Sequence, residues 1–335
     1  MLNECVTMHK EGMIPSLDIE LSSICTAANC IYCDSKPHVG TIMRNELSQD
    51  IFLKLLKNAH NEGVKWIYTC GLGEPLEDKK FNDLLEFATT HNINISLFTN
   101  GIHIKNKGIA QKMKDAGICI ILKMDTFECS SFDKILGIKG QAKNIYQALD
   151  FLLDAGYGNK EQYTDLAFSI VPTTLSITGI PDVIEFAVKN KIFPSVGELE
   201  KSGATLKNNL YKELSVSLFK LKEIKELLDY HFNGDYRRPI CPAIITGLHF
   251  DNLGNCIVDK NSGLNCKWFM LEEPNVYEIG NYRDDIKILF NNVKEYRKIH
   301  FDINAFATQK QSDEYVFGGC GGNLNDIVEL TLKCL

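Results

Sequence analysis

The chain has 335 residues, 44% of them apolar and 24% charged, so it can bury a full core as one large domain or two. Its net charge is −7 and no long Lys/Arg block occurs, which excludes a surface built to track a phosphate backbone, so no nucleic-acid partner is expected. Met1 to Met13 lacks the basic-then-apolar order of a signal peptide, and the longest apolar stretch, around Gly117 to Leu122, is far too short to span a bilayer. A cytoplasmic protein with no membrane partner is expected.

From about residue 16, a short β-rich run, a turn and a helix-period stretch alternate. The β-rich runs are Leu17–Leu21, Trp66–Cys70, Ile93–Phe98, Ile118–Lys123, Leu166–Val171 and Pro194–Leu199. The first helical stretch opens with Ser48 as N-cap and puts Ile51, Phe52, Leu55, Leu56 and Ala59 on one face. Others follow near Phe81–Thr90, Ile109–Ala116, Ile145–Ala155 and Pro181–Asn190. Six strand–helix units of this kind predict a parallel sheet. Residues 200–215 are polar and read as a linker, followed by an amphipathic helix over Ser215–His231 with Leu218, Leu221, Ile224, Leu227 and Leu228 on its buried face. After Pro239 the chain is richer in Gly, Asn and Cys, the composition of a small domain held partly by metal.

Twelve cysteines are unusual for a reducing compartment, where metal binding or catalysis is the default reading. Cys25, Cys30 and Cys33 crowd after the first strand, and Cys241, Cys256, Cys266 and Cys320 lie late. Thiolates are soft ligands for zinc or iron–sulfur clusters. Three on one loop hold three corners of an iron–sulfide cube and leave the fourth iron open, whereas a structural zinc site needs a fourth ligand, for which His38 is the nearby candidate. The late four suit one [4Fe–4S] cluster or a four-cysteine zinc site, with Cys334 an extra. Cys70 and Cys119 lie on apolar strands and read as core, and Cys129 follows the end of the fourth strand.

The three-cysteine loop, with aromatic Tyr32 just before its last cysteine, resembles the radical SAM superfamily, although four residues rather than the usual three separate Cys25 from Cys30. Gly71-Leu72-Gly73-Glu74-Pro75, a plain turn if it stood alone, is similar to the family's glycine–glycine–glutamate–proline motif at the end of the second strand. Asn100-Gly101 ends the third strand, and Lys123-Met124-Asp125 stands where relatives have Ser-x-Asp. The region from Cys241 resembles the auxiliary-cluster extension called SPASM or, in its short form, twitch, with Gly280-Asn281 adding to the likeness.

The resemblance implies a partial (β/α)6 TIM-like barrel followed by a small α+β twitch-like domain. The expected divisions are 1–205 for the barrel, 206–240 for a linker and bridging helix, and 241–335 for the auxiliary [4Fe–4S] domain. It implies a SAM-binding [4Fe–4S] cluster on Cys25, Cys30 and Cys33, an auxiliary cluster on Cys241, Cys256, Cys266 and Cys320, and S-adenosylmethionine as cofactor. Tyr32, Gly71, Gly73, Glu74, Pro75, Asn100, Lys123, Asp125 and Ser169 would contact the cofactor, and Glu198 the substrate; Ser169 and Glu198 equally suit satisfied polar residues inside a barrel. The implied reaction is reductive cleavage of SAM to a 5′-deoxyadenosyl radical that abstracts hydrogen, fed by a flavodoxin- or ferredoxin-type donor. Only 24 residues precede Cys25, which favours a small molecule such as a sugar, aminocyclitol or nucleoside derivative over a peptide. A peptide maturase with a separate leader-binding partner, and a non-catalytic zinc-stapled binding protein, are the alternatives.

Overall fold

The computed structural model describes residues 2–21, 23–33, 46–69, 71, 73–158, 165–197, 199, 203–234, 236, 247–259 and 276–300. In chain order the first part runs α1 (Leu2–Lys10), β1 (Ser16–Ile19), α2 (Gln49–Asn61), β2 (Trp66–Thr69), a 3₁₀ turn (Pro75–Glu77), α3 (Lys80–His91), β3 (Asn94–Thr99), α4 (Lys107–Asp115) and β4 (Cys119–Lys123). It continues with α5 (Cys129–Leu136), α6 (Gln141–Asp154), β5 (Leu166–Ile170), α7 (Ile180–Lys189) and β6 (Phe193–Val196). The remainder comprises α8 (Gly203–Lys207), α9 (Tyr211–Leu214), α10 (Leu218–His231), β7 (Leu248–Phe250), β8 (Asn255–Asp259), β9 (Val276–Asn281) and α11 (Ile286–His300).

All six expected strands form, each within three residues of its predicted bounds, and neighbours pair in parallel from β1 to β6. Side chains alternate across a strand, so each strand offers one row to the helices. Leu17, Ile67, Ile95, Ile120, Leu166 and Phe168 belong to that row; all are buried, and Phe168 stacks on Phe186 of α7 at 6.3 Å between centroids. The opposite row is more polar. Asp18 is in register with Tyr68, Tyr68 with Ser96, and Lys123 with Ser169, which in turn pairs Ser195. This is the partial barrel expected from the sequence.

Four features differ from the sequence reading. The sheet does not end at β1: the order is β6-β5-β4-β3-β2-β1-β7-β8-β9, with β7 parallel to β1 and β8 and β9 added antiparallel. The 200–215 stretch holds α8 and α9. Helix α10 starts at Leu218, and only Ile224 and Leu228 of its expected face are buried. Ser48 does precede α2 in an extended conformation, but its side chain makes no capping bond; its carbonyl accepts from Phe52 N at 2.9 Å instead. No helix among the described residues is long and apolar enough to cross a membrane.

Candidate active site

The cysteine loop leaves the C-terminal end of β1, where a barrel concentrates its functional groups. It is gripped from three sides. The Glu77 carboxylate accepts from Thr26 N at 2.9 Å, from Thr26 Oγ1 at 2.9 Å and from Ala27 N at 3.2 Å, and His103 Nε2 lies 3.0 Å from the oxygen that holds Ala27 N. The end of α5 supplies carbonyls: Asn29 N donates to Leu136 O at 2.8 Å and Ile31 N to Ile135 O at 3.0 Å. Gly137 follows with φ +68, and a Cβ there would collide with Asn29 O, so this approach needs glycine. From the far side, Ala204 N of α8 donates to Cys33 O at 3.0 Å.

Cys25, Cys30 and Cys33 are all partly buried and free of disulfides. Burial pushes the Cys25 thiol up, and the charges of Glu74, Cys30, Glu77 and Cys33 add to it. A thiol so raised is a poor nucleophile but becomes a thiolate once a metal neutralises it. Among the described residues no three His, Cys, Asp or Glu side chains close around a single ion. Three soft thiolate donors on one loop fit three corners of an iron–sulfur cube.

The Gly71–Pro75 turn ends β2. Gly71 has φ +154, and a Cβ there would lie 2.5 Å from Glu20 Cγ. Glu74 is buried; it accepts from Thr99 Oγ1 at 2.5 Å, Asn100 N at 2.8 Å and Leu76 N at 3.3 Å. Burial pushes its carboxyl up to about 7 against those hydrogen bonds. Both its oxygens are thus engaged by the protein, and Glu74 acts by fixing Asn100. Asn100 in turn donates through Nδ2 to Cys25 Sγ at 3.9 Å and accepts from Ile102 N at 2.9 Å. Pro75 is buried and opens the 3₁₀ turn that carries Glu77; Gly73 is partly exposed beside it. Partial burial works against the Glu77 charge, but the Thr26 and Ala27 donors outweigh it and hold its carboxyl below the ordinary range.

At the end of β4, Lys123 Nζ bonds Tyr32 OH and lies 2.8 Å from Asp125 Oδ2, which also accepts from Tyr32 OH at 2.6 Å. Asp125 is fully buried, and its second oxygen accepts from Val171 N at 2.8 Å. Burial disfavours the Lys123 ammonium, yet Asp125, Cys30 and Cys33 more than compensate and raise its pKa, so it stays a cation beside the cysteine loop. Sequence reading placed Tyr32 apart from the Lys123–Asp125 pair; the structure joins the three into one unit. Ser169 lies on the same row, between Lys123 and Ser195.

Of the late cysteines, Cys256 is buried on β8, opposite Phe250 of β7 and Gly280 of β9. Cys241, Cys266, Cys320 and Cys334 lie outside the described residues, as do His38, Cys70 and Glu198. Cys119 is buried on β4, and Cys129 opens α5 partly exposed.

Sequence reasoning missed a buried ionisable set joining β1 to β7. His249 Nδ1 lies 2.8 Å from Asp18 Oδ2, and His249 Nε2 lies 3.8 Å from Glu20 Oε1, all three side chains being at most 1% exposed. Asn252, after β7, donates through Nδ2 to Glu46 Oε1 at 2.9 Å, and Glu46 accepts from Ser23 Oγ at 2.7 Å, just before the cysteine loop. The Glu77–His103 pair was also missed. Its only sequence signal was the position of Glu77 three residues after Glu74.

A model of the radical SAM superfamily matches residues 19–185. The mycofactocin maturase MftC of Mycolicibacterium smegmatis is 24% identical over 184 residues, which is 55% of this chain but only 44% of that protein. Among solved structures, Streptococcus suis SuiB bound to S-adenosylmethionine superposes with a TM-score of 0.61 at 17% identity, covering 95% of this chain and 80% of SuiB. Native anSMEcpe with bound AdoMet and Cp18Cys peptide gives a TM-score of 0.60 at 17% identity, covering 94% of this chain and 95% of that one. The match over residues 19–185, on a partial barrel with a three-cysteine loop at its mouth, identifies a radical SAM domain in this chain, the domain of an enzyme that binds a [4Fe–4S] cluster and S-adenosylmethionine.

Proposed function

We propose that this enzyme is a peptide or protein maturase, which reductively cleaves SAM and removes a hydrogen atom from a peptide C–H bond. The observation that carries the chemistry is the set Cys25, Cys30 and Cys33, with the Asn100 amide at the Cys25 sulfur and the Lys123 cation beside the other two. When bound, the cluster and SAM supply one-electron reduction of a sulfonium and hydrogen-atom abstraction. The chain's own residues orient and shield. Tyr32 and Asp125 fix Lys123, whose ammonium offers a partner to the carboxylate of SAM. Gly71, Gly73, Glu74 and Pro75 shape the opposite wall through the β2 turn, and Ser169 continues the Lys123 row toward β6, where Glu198 is proposed to meet substrate.

A peptide substrate is supported over the small molecule favoured by the sequence. The anSMEcpe structure was determined with a peptide bound, SuiB was also determined with its precursor peptide SuiA, at a TM-score of 0.60 over 93% of this chain, and MftC is named a maturase. The SuiB and anSMEcpe superpositions include the part of the chain beyond β6. We assign residues 241–335 to an auxiliary [4Fe–4S] cluster on Cys241, Cys256, Cys266 and Cys320, and expect a flavodoxin- or ferredoxin-type donor in the reducing cytosol.

Anaerobic reconstitution with SAM, a reductant and deuterated peptides encoded beside the gene tests this reading. Deuterium appearing in 5′-deoxyadenosine, with a mass change in the peptide, is the expected result. Label arriving only from sugars or nucleosides overturns it.

A further inference from the structure

Glu77 does something that no motif of the sequence requires. Its side chain is 6% exposed, although it carries a charge. It takes both backbone N–H groups that immediately follow Cys25, those of Thr26 and Ala27, and the Thr26 hydroxyl as well. His103, in the segment after β3, lies at the carboxylate oxygen that also holds Ala27. Glu77 reaches this place because Glu74 and Pro75 start the 3₁₀ turn three residues earlier, with Glu74 N donating to Ile24 O at 2.7 Å, just before Cys25.

Two consequences follow for anything bound at Cys25. Backbone N–H groups beside a cluster ligand stabilise the reduced, more negative state when they point at sulfur, and hydrogen bonding to sulfur together with net charge sets cluster potentials. Here the two nearest amides are turned to a carboxylate. That carboxylate also adds a negative charge beside Cys25, where the field of Glu77 is already felt by the thiol. Both effects disfavour the reduced state. A cluster in this setting is a stronger electron donor, which suits the reduction of a sulfonium.

We propose that Glu77, steadied by His103, is a positioning residue that pins the Thr26–Ala27 segment and keeps the cluster on Cys25, Cys30 and Cys33 strongly reducing. The inference rests on the reading of those three cysteines as cluster ligands, and the experiment separates the two. The readout is the midpoint potential and electron-paramagnetic-resonance spectrum of the reconstituted full-length protein, titrated anaerobically without SAM, with iron and sulfide counted. Glu77→Gln keeps the shape and removes the charge. It is expected to retain the iron while moving the potential of the first cluster positive by about 59 mV, a tenfold change for one electron. Glu77→Asp keeps the charge with a shorter reach and shifts it less. A Glu77→Gln protein with the wild-type potential and spectrum overturns the role of Glu77 and leaves the cluster assignment standing. If Glu77→Gln yields no folded protein, Glu77→Asp at the wild-type potential overturns it. Cys25→Ala is expected to lose the spectrum of that cluster; if it keeps the full iron and that spectrum, the cysteine assignment itself fails and the proposal with it.

Discussion

Strands β1 to β6 and strands β7 to β9 share one sheet but specify position by different means. In the first set every strand runs the same way, so each strand's C-terminal end arrives at the same mouth. Cys25, Glu74, Asn100 and Lys123 meet there although they are spread over nearly a hundred residues. In the second set only β7 keeps that direction, and β8 and β9 return antiparallel with an irregularity at Cys256/Ile257. A parallel crossover lets chain order predict spatial order. A hairpin with a bulge sets its side chains by local geometry, which composition does not reveal.

The sharpest test of this contrast is to disable each region separately. Cys25→Ala is expected to abolish reductive SAM cleavage entirely, whereas Cys256→Ala should retain it and lose about half the iron, as one of two four-iron clusters. The measurement is 5′-deoxyadenosine formation beside iron content, and loss of cleavage in both variants would dissolve the division. Next comes the seam. His249→Ala leaves the Asp18 carboxylate buried without its 2.8 Å partner, and removing one member of such a buried pair costs about 3–5 kcal/mol. Urea denaturation should show the loss, and a wild-type midpoint would mean that β7 is not needed to settle β1.

The smallest effect is expected from Glu74, within the first region. Its folded carboxyl is raised from 4.5 to about 7, so the folded state binds the extra proton between those values. Its contribution to stability is therefore full below pH 4.5 and lost as pH rises through 7. Glu74→Gln should flatten the stability–pH curve of the cluster-free chain in that window by about 1–3 kcal/mol. A wild-type curve that rises with pH across the window where the variant stays flat would contradict the assignment.

The barrel was legible because alternating Leu17/Ile19, Ile95/Leu97 and Ile120/Leu122 patterns stand between clear helical periods. The motif residues were legible because each sits at a strand end. Helix α5 was not read: eight residues give too little periodicity, and its cap is the Glu128 carboxylate, which accepts from Ser130 N and Ser131 N. Asp18 and Glu20 carried a misleading signal. By alternation alone they belong to a solvent face, whereas a barrel turns that face inward and meets it with His249 from 231 residues away. Strand β7 has only three residues, so no local pattern could announce it.

That long-range pairing also bears on how the molecule is made. During synthesis β1 emerges long before β7, one of its two neighbours. Contacts of such high sequence separation form slowly and leave strand edges open in the meantime. The nascent barrel must carry two acids on its first strand, awaiting a histidine that lies 231 residues further along the chain.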